Sequence, residues 1–119
     1  MRFEEVRKIL DDAIAGWTVA HGGAVPRLVQ KHHEASFMWD TKAHLLAAKA
    51  RGVLLIQDGV RHNGNGAKAN LVVALANAKG VIVDGVPLGQ MPATGPFLTA
   101  TSPAGIATII RWIDDDCPD

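Results

Sequence analysis

Residues 53–83 read VLLIQDGVRHNGNGAKANLVVALANAKGVIV, and this segment predicts a strand, a helix and a second strand in succession. Its two ends, 53–56 and 81–83, are uninterrupted apolar runs, which are typical of strands buried on both faces. Between them, residues 67–78 place apolar side chains at helical spacing. Strands that flank a helix at this spacing predict a parallel βαβ unit with a right-handed crossover. We therefore expect an α/β fold in which helices pack on a small sheet.

A second pairing is open to the strand at 81–83. The dipeptide Asp84-Gly85 separates it from another apolar segment that begins at Val86. Asp-Gly between two such segments is typical of a type I′ turn, which would make an antiparallel hairpin. Pro87 has no backbone N–H, so the second arm of that hairpin would lie at a sheet edge.

Further helices and strands are predicted on either side of this segment by apolar spacing and by terminating residues. The first helix is expected to end at Gly16, because glycine is common just past a helix C-terminus. The last is expected to begin at Ser102-Pro103, where a serine cap precedes a proline suited to the first turn. The predicted helices cover 3–15, 26–34, 40–51 and 103–113, and the predicted strands cover 17–20 and 97–101.

Composition indicates one folded domain spanning residues 1–119. The chain is 48% hydrophobic, and its 12 Lys and Arg balance its 12 Asp and Glu, which excludes the disordered class. No apolar run is long enough to cross a bilayer, and the charged start MRFEEVRKILDD lacks the apolar region of a signal peptide. We therefore expect a cytoplasmic protein without a membrane partner. The single cysteine, Cys117, excludes an internal disulfide and any Cys-rich zinc site.

The zero net charge conceals an uneven distribution. Between His21 and Lys79 the chain carries eight basic and three acidic residues, whereas from Gly80 onward it carries one basic and five acidic residues. The basic segment predicts a surface that attracts a phosphate or a carboxylate. The alternative is that the basic and acidic segments neutralise each other within one fold or across a dimer.

The segment 58–68 is the strongest candidate for a site, because it follows an apolar run and precedes a predicted helix. Backbone N–H groups at a helix N-terminus, next to glycines that allow close approach, are typical of anion-binding sites. The carboxyl ends of strands are also where open α/β sheets bind ligands. We predict that this loop binds an anionic small ligand and that His62 carries a proton beside it. The predicted ligand-binding residues are Arg61, Asn63, Gly64, Asn65, Gly66 and Lys68.

The same loop also has a purely structural interpretation. It lacks the P-loop spacing GxxxxGK[ST], and Ala69 stands where a dinucleotide-binding fingerprint has its third glycine. Asn and Gly adopt positive φ readily, so they are also the residues expected in a tight turn that leads into a helix.

A second group of candidate side chains lies earlier in the chain and consists of His32, His33, Glu34, Asp40 and His44. Imidazole and carboxylate groups bind zinc, iron and other divalent metals. Asp40 and His44 are four residues apart and would project from one helix face. The spacing of the group matches no metalloenzyme motif, so acid–base and structural roles stay open, and the sequence names no cofactor.

Three classes of function are compatible with these observations. The first is a ligand-binding or enzymatic site on 58–68, and the second is a non-catalytic homo-oligomeric assembly protein. The apolar helix at 103–113, on a chain with no net charge, predicts self-association, because nothing repels a second copy. Nucleic-acid binding is the weakest of the three, because three Phe and no Tyr supply few stacking surfaces and the pI is near 7.0.

Overall fold

The computed structural model describes residues 2–23, 38–50, 53–61, 63–76, 82–83, 86–87, 91 and 97–119. The α-helices in this part of the chain are α1 (Phe3–Ala20), α2 (Lys42–Ala47), α3 (Asn70–Ala76), α4 (Leu98–Thr101) and α5 (Pro103–Asp114). The strands, each of two residues, are β1 (Lys49–Ala50), β2 (Val53–Leu54), β3 (Ile82–Val83) and β4 (Val86–Pro87). Two 3-10 turns, Asp58–Val60 and Gly66–Lys68, lie between β2 and α3.

Helix α5 is the centre of the core. It begins as predicted, with Ser102 at the N-cap position and Pro103 in the first turn, although the serine side chain makes no capping hydrogen bond. The residues that it buries recur at helical spacing and are Gly105, Ile106, Ile109, Trp112 and Ile113. This face packs against α1, α3, α4 and the second 3-10 turn. The helix predicted at 103–113 is therefore confirmed, but its apolar face is covered within the chain and does not supply the predicted self-association surface.

Helix α1 is longer than the sequence predicts, because it continues through Gly16 to Ala20. The strand predicted at 17–20 is therefore wrong. The helix ends at a pair of glycines, Gly22 and Gly23, whose φ angles of 69° and 90° suit residues without a Cβ. The N–H groups of both glycines donate back to carbonyls of the last helical turn, as in a Schellman motif.

The predicted α/β fold is wrong, and so is the parallel βαβ unit that the segment 53–83 predicts. The chain is mainly helical in its described part, where β1 pairs antiparallel with β2 and β3 pairs antiparallel with β4. The strands predicted at 53–56 and 81–83 thus belong to separate two-stranded ribbons and do not pair with each other.

The hairpin alternative for 81–83 is the pairing that the structure contains. Ile82 lies opposite Pro87 and Val83 lies opposite Val86, so two residues connect the arms. The Asp-Gly dipeptide at this connection is the residue pair that a two-residue hairpin loop favours.

The side chains of Gln57 and Asn70 connect the end of the run 53–56 to the start of α3. Gln57 Oε1 accepts a hydrogen bond from Asn70 N (2.9 Å), and Gln57 Nε2 donates one to Lys68 O (3.0 Å). Asn70 Nδ2 in turn donates to Leu54 O (2.8 Å). Bonds of this kind compete with a sheet ladder for the same backbone groups. The run is a strand only to Leu54, and its last two side chains, Leu55 and Ile56, are buried in the core.

The helix predicted at 40–51 is confined to the six residues of α2. Its cap is Thr41, whose hydroxyl accepts a hydrogen bond from His44 N (3.1 Å). The helix predicted at 26–34 lies outside the described residues.

Two predicted elements on the C-terminal side differ from the structure. The helix predicted at 67–78 is divided, in its described part 67–76, between the second 3-10 turn and α3, and residues 77–78 lie outside the described residues. The strand predicted at 97–101 is instead the short helix α4. Burial of Leu98 in the core outweighs the strand propensity of the two threonines beside it, since that propensity depends strongly on context.

Candidate functional site

The loop 58–68 connects β2 to α3 by way of the two 3-10 turns. The predicted anion site requires free N–H groups at the start of a helix, but Gly66–Lys68 is a single 3-10 turn and α3 begins at Asn70. His62, the predicted proton carrier, lies outside the described residues. Most of the other predicted site residues are held by contacts within the loop or with the C-terminal segment 114–119.

Arg61 is bound to a carboxylate of the same chain. Its Nε donates to Asp116 Oδ1 (2.9 Å), and its Nη2 donates to Asp116 O at the longer distance of 3.5 Å. Both side chains are partly exposed, so the ion pair is of the modest, salt-sensitive kind. The guanidinium would have to leave Asp116 in order to bind an external anion.

Gly66 packs directly on α5. Its N–H donates to Asp114 Oδ1 (2.7 Å), and the residue is buried. A Cβ at this position would lie 2.5 Å from the backbone carbonyl oxygen of Ile110. The absence of a side chain therefore allows the loop backbone to approach α5, whereas the sequence predicts that it approaches a ligand.

Asn63 and Gly64 form a tight turn. Asn63 Nδ2 donates to Gly59 O (2.8 Å), and Asn63 Oδ1 accepts from Asn65 N (3.2 Å), which is an Asx turn. Gly64 has a φ of 75°, as the structural interpretation of the loop predicts. Lys68 is exposed, and its ammonium forms no ion pair with the described part of the chain.

The acidic C-terminal segment provides the carboxylates that bind these basic and N–H groups. The pairs are Asp114 with the Gly66 N–H (2.7 Å), Asp116 with Arg61 Nε (2.9 Å) and Asp119 with Lys42 Nζ (2.5 Å). Two basic side chains of the basic segment, Arg61 and Lys42, are therefore paired with acidic residues of the same chain, as the alternative interpretation predicts.

The same segment continues from α5 along a constrained backbone path. Asp116 and Cys117 have φ angles of 63° and 54°, in the left-handed region that costs a residue with a Cβ about 1–2 kcal/mol. Cys117 N–H donates to Trp112 O (2.9 Å), and Trp112 Nε1 donates to Pro118 O (2.7 Å). Cys117 is fully buried in the core, and this burial raises the pKa of its thiol above its ordinary value, which disfavours the reactive thiolate.

Of the second group of candidate side chains, the structure describes Asp40 and His44. His44 Nδ1 donates to Asp40 Oδ1 (2.5 Å), and this hydrogen bond holds the pKa of the Asp40 carboxyl below its ordinary value. Within the described ranges, no three histidine, cysteine or acidic side chains are grouped so that they could hold a metal. His32, His33 and Glu34 lie outside those ranges, and a metal site that includes them stays an open alternative.

The structure also contains a groove that the sequence does not predict, between α1 and the residues just before α2. It is an open cavity of about 260 Å³. Most of the surface that lines it is apolar, although half of the lining residues are charged. The lining residues are Arg7, Asp11, Ile14, Met38, Trp39 and Asp40. Trp39 Nε1 donates to Asp11 Oδ1 (2.8 Å), which fixes the indole against α1. Because these two residues are 28 positions apart, no local spacing in the sequence connects the two walls.

Comparison with known proteins adds no family and no template. No protein family, curated protein or solved structure matches the chain. No helix in the described part of the chain is both long and apolar enough to cross a membrane.

Proposed function

We propose that this protein is a non-catalytic assembly protein in which two copies of the chain associate through the groove between α1 and residues 38–40. The observation that carries the proposal is the exposure of apolar side chains there. Met38 is 37% exposed, and Ile14 and Trp39 beside it are half-buried. An apolar surface with a polar rim is typical of protein interfaces.

The side-chain types in the groove support a protein partner. Tryptophan, methionine and arginine are enriched at protein interfaces, and the groove contains Trp39, Met38 and Arg7. The hydrogen bond to Asp11 already holds the indole in place in the single chain. Little side-chain entropy is therefore lost when a partner covers Trp39.

The charges at the rim support a second copy of the chain as that partner. Arg7, Asp11 and Asp40 give the rim both signs of charge. Within the chain Arg7 already pairs with Asp11 (3.6 Å) and Asp40 with His44, but these side chains are about half exposed. In a two-fold symmetric dimer the same patch faces itself, so Arg7 of one copy can add a contact with Asp40 of the other. The chain also has no net charge, so no long-range repulsion opposes the encounter.

Replacing Met38 with glutamate is expected to weaken dimer formation by at least about tenfold, because an apolar contact is lost and a charge is placed in the groove. The matched control is Val19→Glu. Val19 is 81% exposed but lies about 140° from Ile14 around α1, away from the groove. Sedimentation equilibrium over micromolar to millimolar concentrations measures both dissociation constants against the 12.6 kDa monomer. A monomer at every concentration, or unchanged dimerisation of Met38→Glu, would contradict the proposal.

The competing function is the binding of an anionic small ligand to the loop 58–68, and it stays a prediction. Such a ligand would have to displace Asp116 from Arg61 or Asp114 from the Gly66 N–H. We therefore expect phosphate, nucleotides and simple carboxylates to leave the thermal unfolding midpoint unchanged in a thermal-shift screen. A stabilisation that falls with added salt and is lost in Arg61→Ala would favour anion binding over assembly.

We also propose a cytoplasmic location for the protein. Support comes from its single cysteine, whose thiol is free and buried, since small domains of oxidising compartments commonly depend on disulfides. The proposed self-association does not depend on this location.

A further inference from the structure

The loop 58–68 contains two Asn-Gly dipeptides, Asn63-Gly64 and Asn65-Gly66. In such a dipeptide the backbone nitrogen of glycine can attack the side-chain carboxamide of asparagine, because glycine has no Cβ and its backbone adapts readily. The attack requires a nitrogen that is not held in another hydrogen bond and a backbone that is free to close a five-membered ring. The two dipeptides differ in both respects.

Asn63-Gly64 meets these requirements. Both residues are exposed, and the Gly64 nitrogen donates no hydrogen bond to any described residue. The hydrogen bond from Asn65 N to Asn63 Oδ1, at 3.2 Å, folds the carboxamide back along the backbone that follows it. The carboxamide also donates from Nδ2 to Gly59 O (2.8 Å), and this hydrogen bond has to break when ammonia leaves.

Asn65-Gly66 does not meet the same requirements. Gly66 is buried, and its nitrogen donates a charge-assisted hydrogen bond to Asp114 Oδ1 at 2.7 Å. The carbonyl oxygen of Ile110 would lie 2.5 Å from a Cβ at this glycine, so the backbone here packs directly against α5. Attack by the Gly66 nitrogen therefore requires the loop to leave α5 first.

We propose that Asn63 is a site of spontaneous deamidation and that packing on α5 protects Asn65. In the first step the Gly64 nitrogen forms a bond to Asn63 Cγ and the bond from Cγ to Nδ2 breaks. The proton of the attacking amide leaves with the amine group as ammonia. Water then opens the cyclic imide at either carbonyl and gives aspartate or isoaspartate. Water is the only co-reactant, and no electrons are transferred.

The product changes the loop in two ways. The Nδ2 donor to Gly59 O is replaced by a carboxylate oxygen, so the hydrogen bond that closes the turn is lost. The added carboxylate also gives one negative charge to a chain whose formal net charge is zero. Ion-exchange chromatography therefore separates the modified protein from the original one.

The test is ageing of the full folded chain at neutral pH and physiological temperature, followed by tryptic peptide mapping. Trypsin releases residues 62–68 as one peptide, and its fragment ions separate deamidation at Asn63 from deamidation at Asn65. We expect Asn63 to react at least about tenfold faster, since the charge-assisted bond of Gly66 has to break before the other attack. In denaturant the two rates are expected to become similar, because the contact with α5 is gone.

Asn63→Gln is the matched control, and it is expected to remove the acidic species that forms on ageing, whereas Asn65→Gln is expected to leave it. Circular dichroism of each variant checks that the fold is retained. Equal rates at the two asparagines in the folded chain, or a faster rate at Asn65, would overturn the proposal. Absence of product at Asn63 under conditions in which the denatured chain reacts would also overturn it.

Discussion

Replacing Trp112 with alanine is expected to lower the free energy of unfolding by about 3–5 kcal/mol, the range typical of a buried tryptophan. The side chain is 0% exposed and lies on α5, the helix against which α1, α3 and α4 pack. Its ring centre lies 6.1 Å from that of Phe3 at the start of α1. Alanine would therefore leave a cavity between α1 and α5 that the surrounding structure can close only in part.

Trp112→Phe separates the two contributions of this residue. Phenylalanine keeps an aromatic ring in the core but loses the hydrogen bond from Nε1 to Pro118 O (2.7 Å), so we expect a smaller loss of about 1–3 kcal/mol. The matched control is Trp39→Ala, at a half-buried tryptophan in the groove. Urea unfolding followed by circular dichroism measures all three variants. If Trp112→Ala lost no more stability than Trp39→Ala, α5 would not be the centre of the core.

The helix that carries Trp112 is also the element that the sequence predicts best. The Ser-Pro dipeptide predicts where it starts, although Ser102 makes no capping hydrogen bond, and isoleucines at helical spacing predict its buried face. Neighbouring residues therefore contain the whole signal. The pairing on either side of residues 84–85 is predicted by an equally local signal, the Asp-Gly dipeptide.

The prediction of a parallel sheet is wrong because the pairing of strands depends on contacts between residues that are distant in sequence. The apolar run 53–56 is compatible with a buried strand and also with a short ribbon that turns into the core. In the structure the Asn70 side chain and the Leu71 N–H bind the carbonyls of Leu54 and Leu55, which a neighbouring strand would otherwise bind. Apolar periodicity contains no information about those hydrogen bonds.

In the candidate site, too, the sequence predicts which groups are present but not which groups they bind. The sequence identifies the hydrogen-bond donors of the loop 58–68 but not the acceptors that they bind. Asp116 is 55 positions from Arg61, and Asp114 is 48 positions from Gly66. The groove likewise joins segments that are 28 positions apart. Contacts at such separations are set by the packing of α1 and α5, which local spacing does not encode.

The second large effect is expected for Gly66→Ala, which should destabilise the fold by about 1–3 kcal/mol through overpacking. The new Cβ would lie 2.5 Å from Ile110 O and 2.8 Å from Asp114 Oδ1. Relief requires the loop to move away from α5, and that movement breaks the hydrogen bond from Gly66 N–H to Asp114. The loss is therefore expected at the upper end of that range.

Two other glycines of the same loop are matched controls in urea unfolding. Gly59→Ala meets no atom within 4 Å and has no positive φ, so its effect is expected within about 0.5 kcal/mol. Gly64→Ala also meets open space, but its φ of 75° is expected to cost about 1–2 kcal/mol. A Gly66→Ala variant as stable as Gly59→Ala would mean that the loop does not rest on α5. The Gly66 N–H would then be open to an external anion, and ligand binding at 58–68 would become the better explanation of this loop.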